Sequence, residues 1–225
     1  MPVIARDGVK LSYDSAPGPR PVLFLHGFAS DAEQTWERTG WLRAVADRGH
    51  VVTDLRGHGR SERATTGYSP GELARDALAV LDAAQVAEVD VVAYSMGGLV
   101  GSALADLAPG RVRALALGGI GGRPVQREAM LQVQQALSAD DLTPCIDGMT
   151  GHALTGPPPV PVLFATGDDD EIATDAKAFA EELGAPHVSL GRRNHFNAVS
   201  SRTFKTTALQ FFDDTRGAAD GVSSD

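Results

Sequence analysis

The sequence predicts an α/β fold, with a mostly parallel sheet carrying helices on both faces. Three observations predict it. Short, almost wholly apolar runs rich in β-branched residues recur along the chain, stretches with helical periodicity separate them, and a hairpin signal stands at the start. With 225 residues, 43% of them hydrophobic and 22% charged, the chain is long enough to bury one sizeable core and fits a single domain.

Residues 3–13 (VIARDGVKLSY) read as a hairpin with Asp7-Gly8 at its turn, because that dipeptide accepts positive φ and pairs the flanking strands. The runs VLFLH at 22–26, VVTDL at 51–55, VDVVAY at 89–94, VRALAL at 112–117 and VPVLFAT at 160–166 are nearly continuous in apolar residues, as strands buried on both faces are. A weaker strand is expected at 187–191 (HVSLG), followed by a closing helix over 196–212 whose Ala198, Val199, Phe204, Ala208, Leu209 and Phe212 form one stripe. Ser69-Pro70 starts another helix, with serine at the cap and proline in the first turn. Between Gly121 and Pro159 the alternation breaks. This interval holds one amphipathic stretch, PVQREAMLQVQQAL, and a Thr/Gly/Pro-rich segment. The expected organisation is therefore a core of residues 1–120 and 160–214, a small lid insertion at 121–159, and a disordered tail at 215–225, small and polar throughout.

A net charge of −9 and a pI near 5.1 argue against a nucleic-acid partner or an anionic membrane surface, since neither finds the basic patch it needs. No run approaches the length that spans a bilayer, and the opening MPVIARDGVKLSYD lacks the basic start and apolar stretch of a secretory signal. A single cysteine, Cys145, excludes an intramolecular disulfide and fits a reducing compartment, so the expected location is cytoplasmic. Composition is silent on oligomeric state.

The strongest chemical signal is VDVVAYSMGGLVGSALAD, a buried strand running into Ser95 and at once into a helix rich in small residues. A serine on so sharp a turn needs small neighbours, which Gly97 and Gly98 supply; Ala93 stands where the G-x-S-x-G pattern has its first glycine. The turn exposes the serine oxygen and aims the first amides of the helix at whatever the serine attacks.

HGFAS at 26–30, DLRGHGRS at 54–61, AYSMGG at 93–98, TGDDD at 166–170 and NHFNAV at 194–199 occur in the order found in the α/β-hydrolase superfamily, which the chain resembles over nearly its whole length. The resemblance implies an eight-stranded, mostly parallel sheet with the nucleophile after the fifth strand, and a triad in the order Ser, Asp, His. It assigns Ser95 as nucleophile and His195, after the final strand, as general base. The backbone N–H groups of Phe28 and Met96 become the oxyanion donors. The family's spacing, a glycine followed three residues later by the acid, selects Asp170 after Gly167, with Asp168 and Asp169 as adjacent competitors. His26, by contrast, reads as shaping its loop, and Asp54, Arg56, Gly57, His58, Gly59 and Ser61 as organising the loop after the fourth strand. His152 reads as an exposed loop histidine.

Neither the Asp168–Glu171 cluster nor the spacing of His26, His50, His58 and His195 has a metal-ligand pattern, so neither metal nor organic cofactor is expected. These residues predict a serine hydrolase cleaving a small-molecule ester of small or medium acyl length through an acyl-Ser95 intermediate. Carbon–carbon or lactone hydrolysis on the same triad, and a ligand receptor retaining the fold without turnover, are the alternatives. A serine at the elbow speaks against dehalogenase and epoxide hydrolase chemistry, which use a carboxylate there.

Overall fold

The computed structural model describes residues 2–137 and 139–221. Its centre is an eight-stranded sheet: β1 (Val3–Arg6), β2 (Val9–Ala16), β3 (Val22–Leu25), β4 (His50–Thr53), β5 (Val89–Tyr94), β6 (Val112–Gly118), β7 (Val162–Thr166) and β8 (His187–Ser189). The spatial order is β1-β2-β4-β3-β5-β6-β7-β8. The Asp7-Gly8 hairpin forms an antiparallel edge, β2 runs antiparallel to β4, and every pairing from β4 through to β8 is parallel.

The continuous apolar character of the central strands follows from burial on both faces. Because successive side chains point to opposite sides of a strand, Leu23, Leu25, Val91, Ala93, Leu115 and Leu117 enter one core layer, while Val22, Phe24, Val92, Tyr94, Ala114 and Ala116 enter the other. The first layer is closed by α2 (Pro70–Ala83) and α3 (Met96–Leu107), and the second by α1 (Trp41–Ala44) and α7 (Arg202–Gly221). Ser69 caps α2 by accepting from the Glu72 N–H at 3.3 Å; losing that cap to alanine costs about 1 kcal/mol. On the second face Trp41 meets Phe204 edge-on at 5.0 Å and Phe24 at 5.8 Å, and its indole N–H donates to the Val199 carbonyl at 2.8 Å. That face contains the segment around Trp36 and Trp41, for which the sequence shows no periodicity.

The interval between β6 and β7 forms two helices, α4 (Arg127–Ala136) and α5 (Thr143–Met149). Met130, Leu142, Cys145, Ile146 and Met149 from this insertion are buried in the same layer as α3, so it packs down onto the helix that follows Ser95. A further helix, α6 (Ala176–Glu182), fills the crossover between β7 and β8. The chain end differs from expectation. A disordered tail was expected from residue 215, but α7 continues through Gly221, because no proline interrupts a helix already nucleated on Phe204, Ala208 and Phe212 and propagation adds one bond per residue. Residues 222–225 of that expected tail lie outside the described residues. Among the described residues, no helix is long and apolar enough to cross a membrane.

Candidate active site

β5 delivers Ser95 to the carboxyl edge of the sheet, and α3 starts at the next residue. Ser95 has φ 53° and ψ −122°, a conformation that L residues rarely adopt, held because its N–H donates to the Gly118 carbonyl at 2.8 Å and its carbonyl accepts from the Gly98 N–H at 2.8 Å. The strand and helix meet so closely that a Cβ at Gly97 would lie 2.2 Å from the Leu25 carbonyl oxygen. Ala93, the departure from the usual elbow pattern, is fully buried, and its methyl lies where a side chain on Gly101 would come within 3.4 Å of it.

Three side chains widely separated in sequence meet at this turn. His195 Nε2 lies 3.0 Å from Ser95 Oγ, and His195 Nδ1 lies 3.0 and 3.1 Å from the two oxygens of Asp170. An ionised carboxylate can only accept, so Nδ1 carries the ring proton and Nε2 presents its lone pair to the serine hydroxyl, which donates. Burial works to raise the Asp170 pKa, but the His195 contact and the Ala173 and Ile172 amides outweigh it and hold the carboxyl below the usual range. Both amides donate to Oδ1 at 3.0 Å.

The two neighbouring aspartates point elsewhere. Asp168 accepts from the Ser189 hydroxyl, and Asp169 lies at the surface 3.5 Å from the Arg192 guanidinium. Three carboxylates aimed in three directions make no cation cage.

Phe28 stands on the loop after β3 and Met96 at the first position of α3, and among the described residues neither backbone N–H donates to another group of the chain. His26 is fully buried with both nitrogens in use: Nδ1–H donates to the Gly27 carbonyl at 2.8 Å, and Nε2 accepts from the Leu55 N–H at 2.9 Å. Burial keeps it neutral by lowering its pKa. Since the Gly27 carbonyl and the Phe28 N–H belong to one planar peptide unit, His26 fixes where that N–H points. His58 packs 5.3 Å from His26 and 5.9 Å from Phe28, and burial, with His26 adding, pushes its pKa down to about 3. The surrounding loop is tied by Asp54, which accepts from the Ala32 and Arg60 amides at 2.8 and 2.9 Å, and by Arg56, which grips buried Asp76 with two 2.8 Å contacts.

Two neighbours of the site had no signal in the sequence. Cys145 on α5 donates its S–H toward Met96 Sδ at 3.6 Å, joining the insertion to the residue beside Ser95, and burial pushes its thiol up to about 12. The Tyr94 phenol donates to the His195 carbonyl at 2.6 Å. Both contacts join segments far apart in the chain, which residue type and spacing do not report.

Residues 20–144, more than half of the chain, match the family model described as alpha/beta hydrolase fold. The acetyltransferase component of the acetoin cleaving system of Pseudomonas putida is 36% identical over 104 residues, covering 44% of this chain and 26% of that protein. Non-heme chloroperoxidase CPO-A1 of Kitasatospora aureofaciens is 37% identical over 101 residues, covering 44% of this chain and 36% of that protein. The aligned segment therefore spans only a quarter to about a third of these two relatives. Among solved structures, Est816, described as an N-acyl homoserine lactone degrading enzyme, superposes with a TM-score of 0.74 at 24% identity, covering 96% of this chain and 99% of that one.

Proposed function

Since the chain belongs to the α/β-hydrolase fold family, we propose that it is a serine hydrolase cleaving carboxylic esters of small or medium acyl length. The observation that carries this reading is the line of contacts from Ser95 Oγ to His195 Nε2 at 3.0 Å and from His195 Nδ1 to Asp170 at 3.0 Å.

A neutral hydroxyl is a weak nucleophile, so the reaction needs a base within reach as the carbon–oxygen bond forms. His195 Nε2 takes the Ser95 proton while Oγ attacks the ester carbonyl carbon, and the carbonyl electrons move onto oxygen. The Phe28 and Met96 amides receive that oxyanion; a single such donor is worth about 10²–10³ in kcat. His195 then gives its proton to the departing alkoxide, which leaves as an alcohol and acyl-Ser95 remains. Water, deprotonated by the same nitrogen, attacks the acyl carbon, and the acid leaves as Ser95 recovers its proton. Asp170 stays ionised throughout and stabilises the transient imidazolium. No step requires a metal or an organic cofactor.

The proposed substrate is a small molecule, and the acidic composition favours no polyanionic partner; a cytoplasmic location is proposed from the lone, buried Cys145. A series of p-nitrophenyl esters of increasing acyl length, assayed beside Ser95→Ala and His195→Ala, tests the reading. Turnover abolished by both changes is the expected result. Turnover that survives Ser95→Ala overturns it, and tight binding of an ester with no turnover at all favours a receptor.

A further inference from the structure

Tyr94 immediately precedes Ser95, yet its side chain serves His195. The phenol donates a 2.6 Å hydrogen bond to the His195 backbone carbonyl, and the ring centroid lies 5.5 Å from the imidazole. The ring is buried, at 5% exposure, in a slot that two consecutive glycines keep open. A Cβ at Gly118 would stand 2.6 Å from Tyr94 Cδ2, and one at Gly119, where φ is +62°, would stand 2.8 Å from Cζ. Burial, with the Asp170 charge adding, raises the phenol above the usual tyrosine range, so it remains a donor.

Beyond β8, His195 lies in a loop, where a side chain is held less firmly than on a strand. Its ring is fixed at Nδ1 by Asp170, but orienting a ring does not set how far its backbone stands from the nucleophile. The Tyr94 bond does, because it runs from the strand residue next to Ser95 to the carbonyl of His195 itself.

We propose that Tyr94 is a positioning residue, tying the backbone of His195 to the strand that carries Ser95 and thereby setting the Nε2–Oγ distance before substrate arrives. The proposal rests on the serine-hydrolase reading. It adds a fourth side chain to that machinery, one that touches no reacting atom.

Tyr94→Phe tests it, because phenylalanine keeps the ring in its slot and removes only the donor. Three quantities are measured: kcat and KM on the best ester, normalised to reactive Ser95; the thermal midpoint; and, in the substrate-free protein, the strongly deshielded NMR signal of the proton between His195 Nδ1 and Asp170. The expected result is a fall in kcat of about 10–100-fold with KM within about twofold, since displacement of a catalytic group by an ångström costs about that much. The NMR signal should shift or broaden with it. A kcat within about twofold of the parent and an unmoved signal would overturn the proposal, even if the thermal midpoint fell. The signal is read without substrate, so it reports on Tyr94 even if the parent hydrolyses none of the esters and the serine-hydrolase reading fails.

Discussion

Replacing Asp170 by asparagine changes one oxygen to an amide nitrogen, and the structure determines where that nitrogen goes. Oδ1 accepts from both the Ile172 and Ala173 N–H groups, each at 3.0 Å, so the asparagine carbonyl takes that position. The NH₂ group is left at the Oδ2 position, 3.0 Å from His195 Nδ1. The carbonyl, 3.1 Å from Nδ1, is already taken by the two amides, and two donors cannot face each other, so the imidazole carries its proton on Nε2 instead and then cannot accept from Ser95. The geometry survives while the tautomer is wrong. The fall in kcat expected from this kind of change is about 10⁴-fold, equivalent to about 5.4 kcal/mol of transition-state stabilisation. Asp168→Asn and Asp169→Asn alter side chains bound to Ser189 and Arg192, and each should leave kcat within about threefold. Steady-state kinetics on one p-nitrophenyl ester with the three variants decides it. Equal losses in all three, or a small loss in Asp170→Asn, would refute the tautomer argument.

Two further predictions concern what holds the site in place. His58 is buried neutral with a pKa of about 3, against about 6.5 in the unfolded chain, so below pH 6.5 the unfolded state binds a proton that the folded state refuses. Stability is lost as pH falls, by about 2 kcal/mol from this group at pH 5. Urea unfolding at pH 7.5 and pH 5 should show a decrement larger by about that much in the parent than in His58→Phe, since buried His26 contributes to both; an equal decrement in both would contradict it. Gly97→Ala puts a methyl group 2.2 Å from the Leu25 carbonyl oxygen and 2.7 Å from that of His26, both backbone atoms with no rotamer to relieve the clash. It should cost about 1–3 kcal/mol and about 10²-fold in kcat, because α3 and the oxyanion loop must separate. Gly101→Ala, with its nearest neighbour at 3.4 Å, is the control and should leave kcat unchanged. Urea midpoints and kcat for the pair check this, and similar losses in both would remove the steric explanation.

Most of the sheet is legible because its central strands are buried on both faces, which forces apolar runs that no loop would carry. Ser95 is legible for a related reason: a strand that turns directly into a helix needs small residues at fixed positions, and Gly97 shows why. The family's spacing selects Asp170, with Asp168 and Asp169 as adjacent competitors. The backbone of the loop after β7 separates them, turning Asp170 inward to the Ile172 and Ala173 amides and the other two outward. The segment around Trp36 and Trp41 is not legible as structure, since its short turns are held by aromatic packing against Phe24 and Phe204 and have no period of their own. The continuation of α7 through Gly221 was hidden by a composition that also suits disorder. Tyr94 was hidden for a third reason, its partner lying 101 residues along the chain.

The central claim is that Ser95 is a nucleophile activated by His195. Its most direct test is the mass of the protein after treatment with a fluorophosphonate ester, which phosphonylates an activated serine and releases fluoride. One adduct per chain is expected, mapped by peptide fragmentation to Ser95, and absent or very slow to form in both Ser95→Ala and His195→Ala. An unmodified Ser95 in a protein that nevertheless hydrolyses esters, or an adduct on another residue that persists in Ser95→Ala, would contradict it.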